Sequence, residues 1–152
     1  MHKVYSGRGI DADAAQARMK NLMTEEGLPY GNRTQTYNSR LAQELGAWVD
    51  TLKGFDEFHN AIFKAYFVDA KNISEENVLI DVANSVGLPE AETRKVLSER
   101  LFRDAIDADW TKSHEYGVTG VPTYIAQGYG VVGAQSYENL AQFLDKAGVS
   151  RT

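Results

Sequence analysis

A chain of 152 residues with 43% hydrophobic content can bury one sizeable core, or a compact core with a helical insertion. Its net charge of −5 excludes the clustered basic face that nucleic acid requires, and equally the polybasic patch that an anionic membrane surface attracts. Zero cysteines exclude disulfides, thiolate catalysis by this chain and cysteine-ligated metals.

The first eight residues are short and mixed, and His2-Lys3-Val4-Tyr5 reads as a scrap of strand or a loose end. They hold no signal-type apolar core. No run in the chain is long and apolar enough to span a bilayer, so a cytoplasmic location is expected. Asp11 is the expected cap of a helix reaching about Glu26, with Ala15, Met19, Leu22 and Met23 at helical spacing and Gly27 as its stop. Leu28 to Tyr37 is polar and broken by proline, hence a loop.

Asn38 or Ser39 can cap a second helix to about Lys53, whose Leu41, Leu45, Trp48, Val49 and Leu52 form one apolar stripe. A third helix is expected from Phe55 to about Val68. Phe55, Phe58, Ile62, Ala65 and Tyr66 share a stripe, and Phe63 and Phe67 lie beside it, which predicts burial on two sides. Ser74 is the expected N-cap of a fourth helix with Val78, Leu79, Val82, Ala83 and Val86 inward. Pro89 fits the first turn of a fifth, which carries Val96 and Leu97. A sixth runs from about Leu101 to Tyr116, with Ile106 and Trp110 inward and Asp104, Asp107 and Asp109 on a solvated face.

The period then changes. Thr123 to Gln127 reads as a strand, Gly128-Tyr129-Gly130 as a turn and Val131–Gly133 as its partner. Ser136 caps a last helix with Leu140, Phe143, Leu144 and Ala147 inward. The expected organisation is an all-helical region over 9–116 and a ββα region over 117–148.

The junction between these regions, Gly117-Val118-Thr119-Gly120-Val121-Pro122-Thr123-Tyr124, is the most informative stretch. Gly117 can end the preceding helix at positive φ, and Pro122, lacking an amide proton, belongs at the start of a strand. With the glycine turn and Gly133-Ala134-Gln135 that follow, the octet resembles the DsbA-like thioredoxin superfamily. Gly27-Leu28-Pro29-Tyr30, Asn38-Ser39-Arg40 and Phe63-Lys64-Ala65-Tyr66-Phe67 extend the resemblance over roughly Gly9 to the C-terminus. The branch it looks most like is the FrnE-type dithiol-disulfide isomerases.

The resemblance implies an α/β, mostly helical, truncated thioredoxin-like fold: a helical insertion block plus a C-terminal ββα unit. It implies that Val121-Pro122 is a cis-proline loop, and that Thr119, Gly120, Val121 and Pro122 face a bound thiol peptide or glutathione. In the family that loop faces a Cys-X-X-Cys pair on a first strand and helix, which would have to lie before Gly9. This chain has no cysteine, so no catalytic residue is assigned to it.

Other constellations read as structure. His2, His59 and His114 are far apart and make no three-ligand metal site, and no cofactor is expected. Asn38-Ser39-Arg40 reads as helix capping. Trp48, Phe55, Phe58, Phe63, Tyr66, Phe67, Phe102 and Trp110 read as core. Ser6-Gly7-Arg8-Gly9 lacks the strand-to-helix context of a phosphate loop, and no Ser-His-acid set can be placed.

Three functions follow. One is a DsbA-family thiol-disulfide oxidoreductase-like protein whose own residues cannot exchange thiols. A second is a non-catalytic peptide-binding or assembly module. A third, through kinship alone, is a glutathione-dependent isomerase or transferase of the kappa type. If the thioredoxin arrangement applies, the strand from Thr123 lacks the neighbour that the first strand of the domain would supply. An open edge of that kind predicts a homodimer.

Overall fold

The computed structural model describes residues 12–149; the Met1–Tyr5 segment and the Asp11 cap lie outside them. The chain divides into two compact units, Met1–Ile106 and Asp107–Thr152. Their elements, in order, are α1 (Ala12–Glu25), α2 (Arg40–Val49), α3 (Glu57–Phe63) continued by a π-helical turn (Lys64–Val68), α4 (Glu76–Ser85), α5 (Glu90–Ser98), α6 (Arg103–Glu115), β1 (Thr123–Ala126), β2 (Tyr129–Val132) and α7 (Tyr137–Lys146). No described helix is long and apolar enough to cross a membrane.

The core of the first unit is a closed ring of four helices, in which α2 packs on α3, α3 on α4, α4 on α5 and α5 back on α2. Leu45, Trp48 and Val49 enter it from α2, Phe58 from α3, Leu79, Ile80, Val82 and Ala83 from α4, and Val96 and Leu97 from α5. Ile73 and Leu88 seal it from the loops. These positions recur three and four apart, so each helix turns one apolar stripe inward and leaves the others wet.

Several boundaries differ from the sequence reading. The second helix stops at Val49 rather than Lys53, because Thr51 and Leu52 turn back to Trp48 and Val49 through amide bonds of 2.9 and 2.8 Å. Ser74 is not the cap of α4. Its hydroxyl donates to Asn72 Oδ1 at 2.6 Å, and Glu75 takes the cap position without a side-chain bond. The local Asn72 turn outcompetes the cap. The third helix is not buried on two sides, since Phe63 is 57% exposed. Its last turn widens to π geometry, and the extra residue rotates the carbonyls of Phe67 and Ala65 toward Gly31 N and Lys71 N, at 2.9 and 2.8 Å. Trp110 is 49% exposed, not inward, because the buried stripe of α6 ends at Ile106. In α7 Leu144 is exposed, and Ala147, just past the helix end, is buried.

One buried charge fastens the ring. Glu44, on α2, is 2% exposed. Its carboxylate accepts two bonds of 2.6 Å from Arg100 Nε and Nη2, and one of 2.7 Å from Arg40 Nε. Arg40 Nη2 in turn donates to the Arg103 carbonyl at 2.9 Å. Arg100 follows α5 at φ 53, a left-handed conformation that costs a non-glycine residue about 1–2 kcal/mol. The bidentate pair holds it there.

The hydrogen bonds from Arg100, and secondly those from Arg40, hold the Glu44 carboxyl below the ordinary range against an opposing desolvation. Its contribution to stability is therefore full above the unfolded pKa of about 4.3, and is lost as pH falls through the lower folded value. Glu44→Gln should destabilise the protein by about 2–3 kcal/mol, less than a fully buried pair would, because the Arg100 side chain is 41% exposed. Urea melts should show this loss at neutral pH, and should show wild type and variant converging only once the pH has fallen through the lowered folded value, beneath the ordinary carboxylate range.

Candidate functional site

Helix α6 closes with Gly117 at φ 68, as Gly117 N bonds to His114 O and Val118 N to Ser113 O at 2.9 and 3.0 Å. The chain then has five residues in which to reverse into β1. Thr119 stands exposed at the rim. The Thr123 hydroxyl donates to the Gly120 carbonyl at 2.6 Å and latches the loop onto the strand that follows. A Cβ on Gly120 would already touch Val132 at 3.4 Å, so the loop runs close over β2. The Val121–Pro122 peptide bond is cis. The Pro122 carbonyl accepts from Gly133 N at 2.7 Å and carries the β ladder one step beyond the hairpin.

Within the hairpin Thr123 pairs with Val132, Tyr124 with Val131, Ile125 with Gly130 and Ala126 with Tyr129. The turn is therefore Gln127-Gly128, not Gly128-Tyr129-Gly130, and β2 begins at Tyr129 rather than Val131. Both turn residues have positive φ, 49 and 80, which gives the tight two-residue turn whose twist matches the strands. Sequence reasoning favoured the glycine pair. The structure instead places a glutamine in the left-handed position.

Val121 is 87% exposed at the head of β1. Among the described residues no backbone bond engages its amide or carbonyl, and β1 pairs with β2 alone. From Val118 to Tyr137 no residue carries a charge. Tyr124, Ala126, Tyr129 and Val131 share one face of the hairpin, where Lys146 of α7 lies 5.7 Å from the Tyr129 ring centre. Thr123, Ile125, Gly130 and Val132 share the other. Thr119, Gly120, Val121 and Pro122 are thus contiguous, and what they offer is backbone, apolar surface and the Thr119 hydroxyl, with no carboxylate, imidazole, amine or thiol.

The other candidates do not converge. His59 Nε2 lies 2.7 Å from Asp50 Oδ1, with its ring against Gly46 and edge-on to Phe58. His114 sits in the last turn of α6, and His2 is outside the described residues. Among the described residues no three histidines or carboxylates gather as a metal site would require. Asn38 Oδ1 accepts from Arg40 N at 2.8 Å, while Ser39 makes no side-chain cap bond and instead accepts from Gln43 at 2.9 Å. The Thr123 latch was not singled out from sequence. A threonine directly after the proline of such a turn is the signal that marks it.

The family model for the DSBA-like thioredoxin domain matches residues 9–145. The chain belongs to the DSBA-like thioredoxin family. Its fold is similar to that of a probable DsbA oxidoreductase from Streptomyces coelicolor, with a TM-score of 0.79 and 27% identity, covering 99% of this chain and 68% of that one. It is also similar to the uncharacterized protein YwbO of Bacillus subtilis, 30% identical over 70 residues, which are 45% of this chain and 35% of that protein. The stretch shared with YwbO is therefore about a third of that relative's length. The mostly helical DsbA-like architecture expected from the octet is thereby established.

Thr123→Val keeps the strand's shape and deletes the latch to Gly120. It should cost about 1 kcal/mol, the net worth of one such bond, and should speed exchange of the Gly133 amide, which bonds to the Pro122 carbonyl, while leaving the helical ring protected. Hydrogen-exchange mass spectrometry reads both.

Proposed function

We propose that this chain is the substrate-cradling part of a DsbA-like thiol-disulfide oxidoreductase of the FrnE type, docking an extended thiol peptide or glutathione along Thr119–Pro122. The observation that carries this reading is the Val121 backbone, exposed and without an intramolecular partner among the described residues. An extended peptide can add its own amide and carbonyl to such an edge, with Val121 and Ile125 offering side-chain contacts. Family membership and the likeness to a probable DsbA oxidoreductase support it. Exchange itself runs through a thiolate and a mixed disulfide, and none of the 152 residues is a cysteine. The chemistry must therefore come from residues other than these, and the chain alone docks without turnover.

Two measurements test this. The purified 152-residue chain should reduce insulin no faster than a heat-denatured control. A cysteine-containing peptide should shift the amide signals of Val121 and Thr123 and leave those of α2–α5 in place. Turnover by the pure chain overturns the absence of chemistry. A peptide that leaves Val121 unmoved overturns the cradle.

A second reading concerns assembly. The outer edge of β1 carries none of the charges by which natural edge strands resist pairing. A neutral edge also meets its own copy without like-charge repulsion. Two copies joined about a two-fold axis, β1 against β1, would form a four-stranded sheet. Light scattering at micromolar concentration should give twice the 16.9 kDa chain mass. A monomer mass overturns the homodimer without touching the docking reading.

A further inference from the structure

Arg33, in the loop between α1 and α2, has no carboxylate partner among the described residues. Its guanidinium carbon lies 4.1 Å from the centre of the Tyr66 ring and 5.4 Å from that of Phe67. Tyr66 and Phe67 meet edge to face at 4.8 Å, so the cation rests on a preformed aromatic floor. Its Nε is buried and has no acceptor among the described residues. Buried donors are nearly always satisfied, and one left open in an otherwise well-bonded unit needs a reason. From Leu28 to Ser39 no acidic residue occurs that could supply one.

The placement is built from both sides. Gly31 N donates to the Phe67 carbonyl at 2.9 Å, an acceptor that the π-helical turn makes available. A Cβ on Gly31 would overlap the Val68 carbonyl oxygen, so only glycine lets the loop approach this closely. Two residues later the chain delivers Arg33 onto Tyr66. Elsewhere in the same unit Arg100 shows what such a side chain does when supplied with a carboxylate: Nε and Nη2 each donate at 2.6 Å to Glu44. Arg33 has no such carboxylate among the described residues. Beside the floor stands Phe63, exposed, its ring centre 6.4 Å from that of Phe67.

We propose that Arg33, Tyr66, Phe67 and Phe63 form a binding site for a carboxylate attached to an apolar group. The carboxylate takes Nε and an Nη of Arg33, and the apolar group lies against Phe63. Because Nε is out of solvent, seating both oxygens requires the Arg33 side chain to shift outward over the aromatic rings. The chemistry is that of an arylcarboxylic acid or of a peptide ending in a free aromatic residue, and it is independent of the Thr119–Pro122 loop.

The probe is benzoate, titrated into the 15N-labelled full chain while the Arg33 Nε–Hε signal is followed. Saturable movement of that signal, with no response to benzyl alcohol or to chloride at equal ionic strength, is the expected result. Arg33→Gln should weaken benzoate at least about tenfold, and Arg33→Lys should not restore it, since an ammonium cannot stack flat and donate side-on together. Thermal melts confirm that each variant is folded, and Phe63→Ala, at an exposed position, should weaken benzoate without altering the melt. A short peptide with a C-terminal phenylalanine, as free acid and as amide, separates the sources. Tighter binding of the acid form than of benzoate assigns the site to a peptide end, and tighter binding of benzoate to a small acid. An unmoved Nε–Hε signal, or equal affinity in Arg33→Gln, overturns the proposal.

Discussion

The helical unit depends on a single carboxylate that has been taken out of water. Glu44 faces inward on α2 among leucine and valine neighbours, where an unpaired charge would not be tolerated. Three donor bonds from two arginines satisfy it, and each arginine comes from a different place in the chain. Arg40 begins the same helix; Arg100 belongs to the corner after α5. The pair therefore closes the ring of four helices on the side where α2 and α5 meet, and the Arg40 bond to the Arg103 carbonyl fixes where α6 can start. An apolar pair could contribute as much stability, but it would not hold Arg100 in a left-handed conformation or dictate one corner geometry. The charge makes the corner specific.

A second constraint acts at the opposite end of α3. An ordinary α-helical ending would leave its last carbonyls to water or to a following glycine. Here the turn widens by one residue, and the displaced carbonyls accept from Gly31 and Lys71 instead. The loop from 28 to 39 is bound to the helix by backbone at Gly31. The 28–39 loop and the Val118–Pro122 loop are therefore irregular for different reasons. The first is held by a helix distortion and a glycine that cannot be replaced without a clash, whereas the second is held by a threonine latch and a ladder bond to Pro122.

Much of the fold was legible because its signals are periodic. Leu45, Trp48 and Val49, or Leu79, Val82 and Ala83, repeat at the helical interval whatever packs against them, and Gly117-to-Tyr124 announced the change to strand. What was not legible depended on competition between local bonds. Ser74 has the chemistry of a cap, and only the structure shows Asn72 capturing its hydroxyl first. Gly128 and Gly130 are both credible turn residues, and pairing register decided between them at the expense of Gln127. Trp110 sits four residues after Ile106, yet the apolar stripe stops with the unit it serves. Periodicity reports which face is apolar, not how far a partner extends along it.

The distribution of charge separates the two candidate surfaces more sharply than their folds do. Around Val121 twenty residues from Val118 to Tyr137 carry no charge, so the stretch offers backbone, apolar surface and neutral polar groups. Around Arg33 a lone cation lies in a loop without acids, within a chain of net charge −5. Within the two loops themselves, only the second carries a charge. A separate site that tests for one carboxylate would let such a chain discriminate among partners which its uncharged strand edge cannot tell apart.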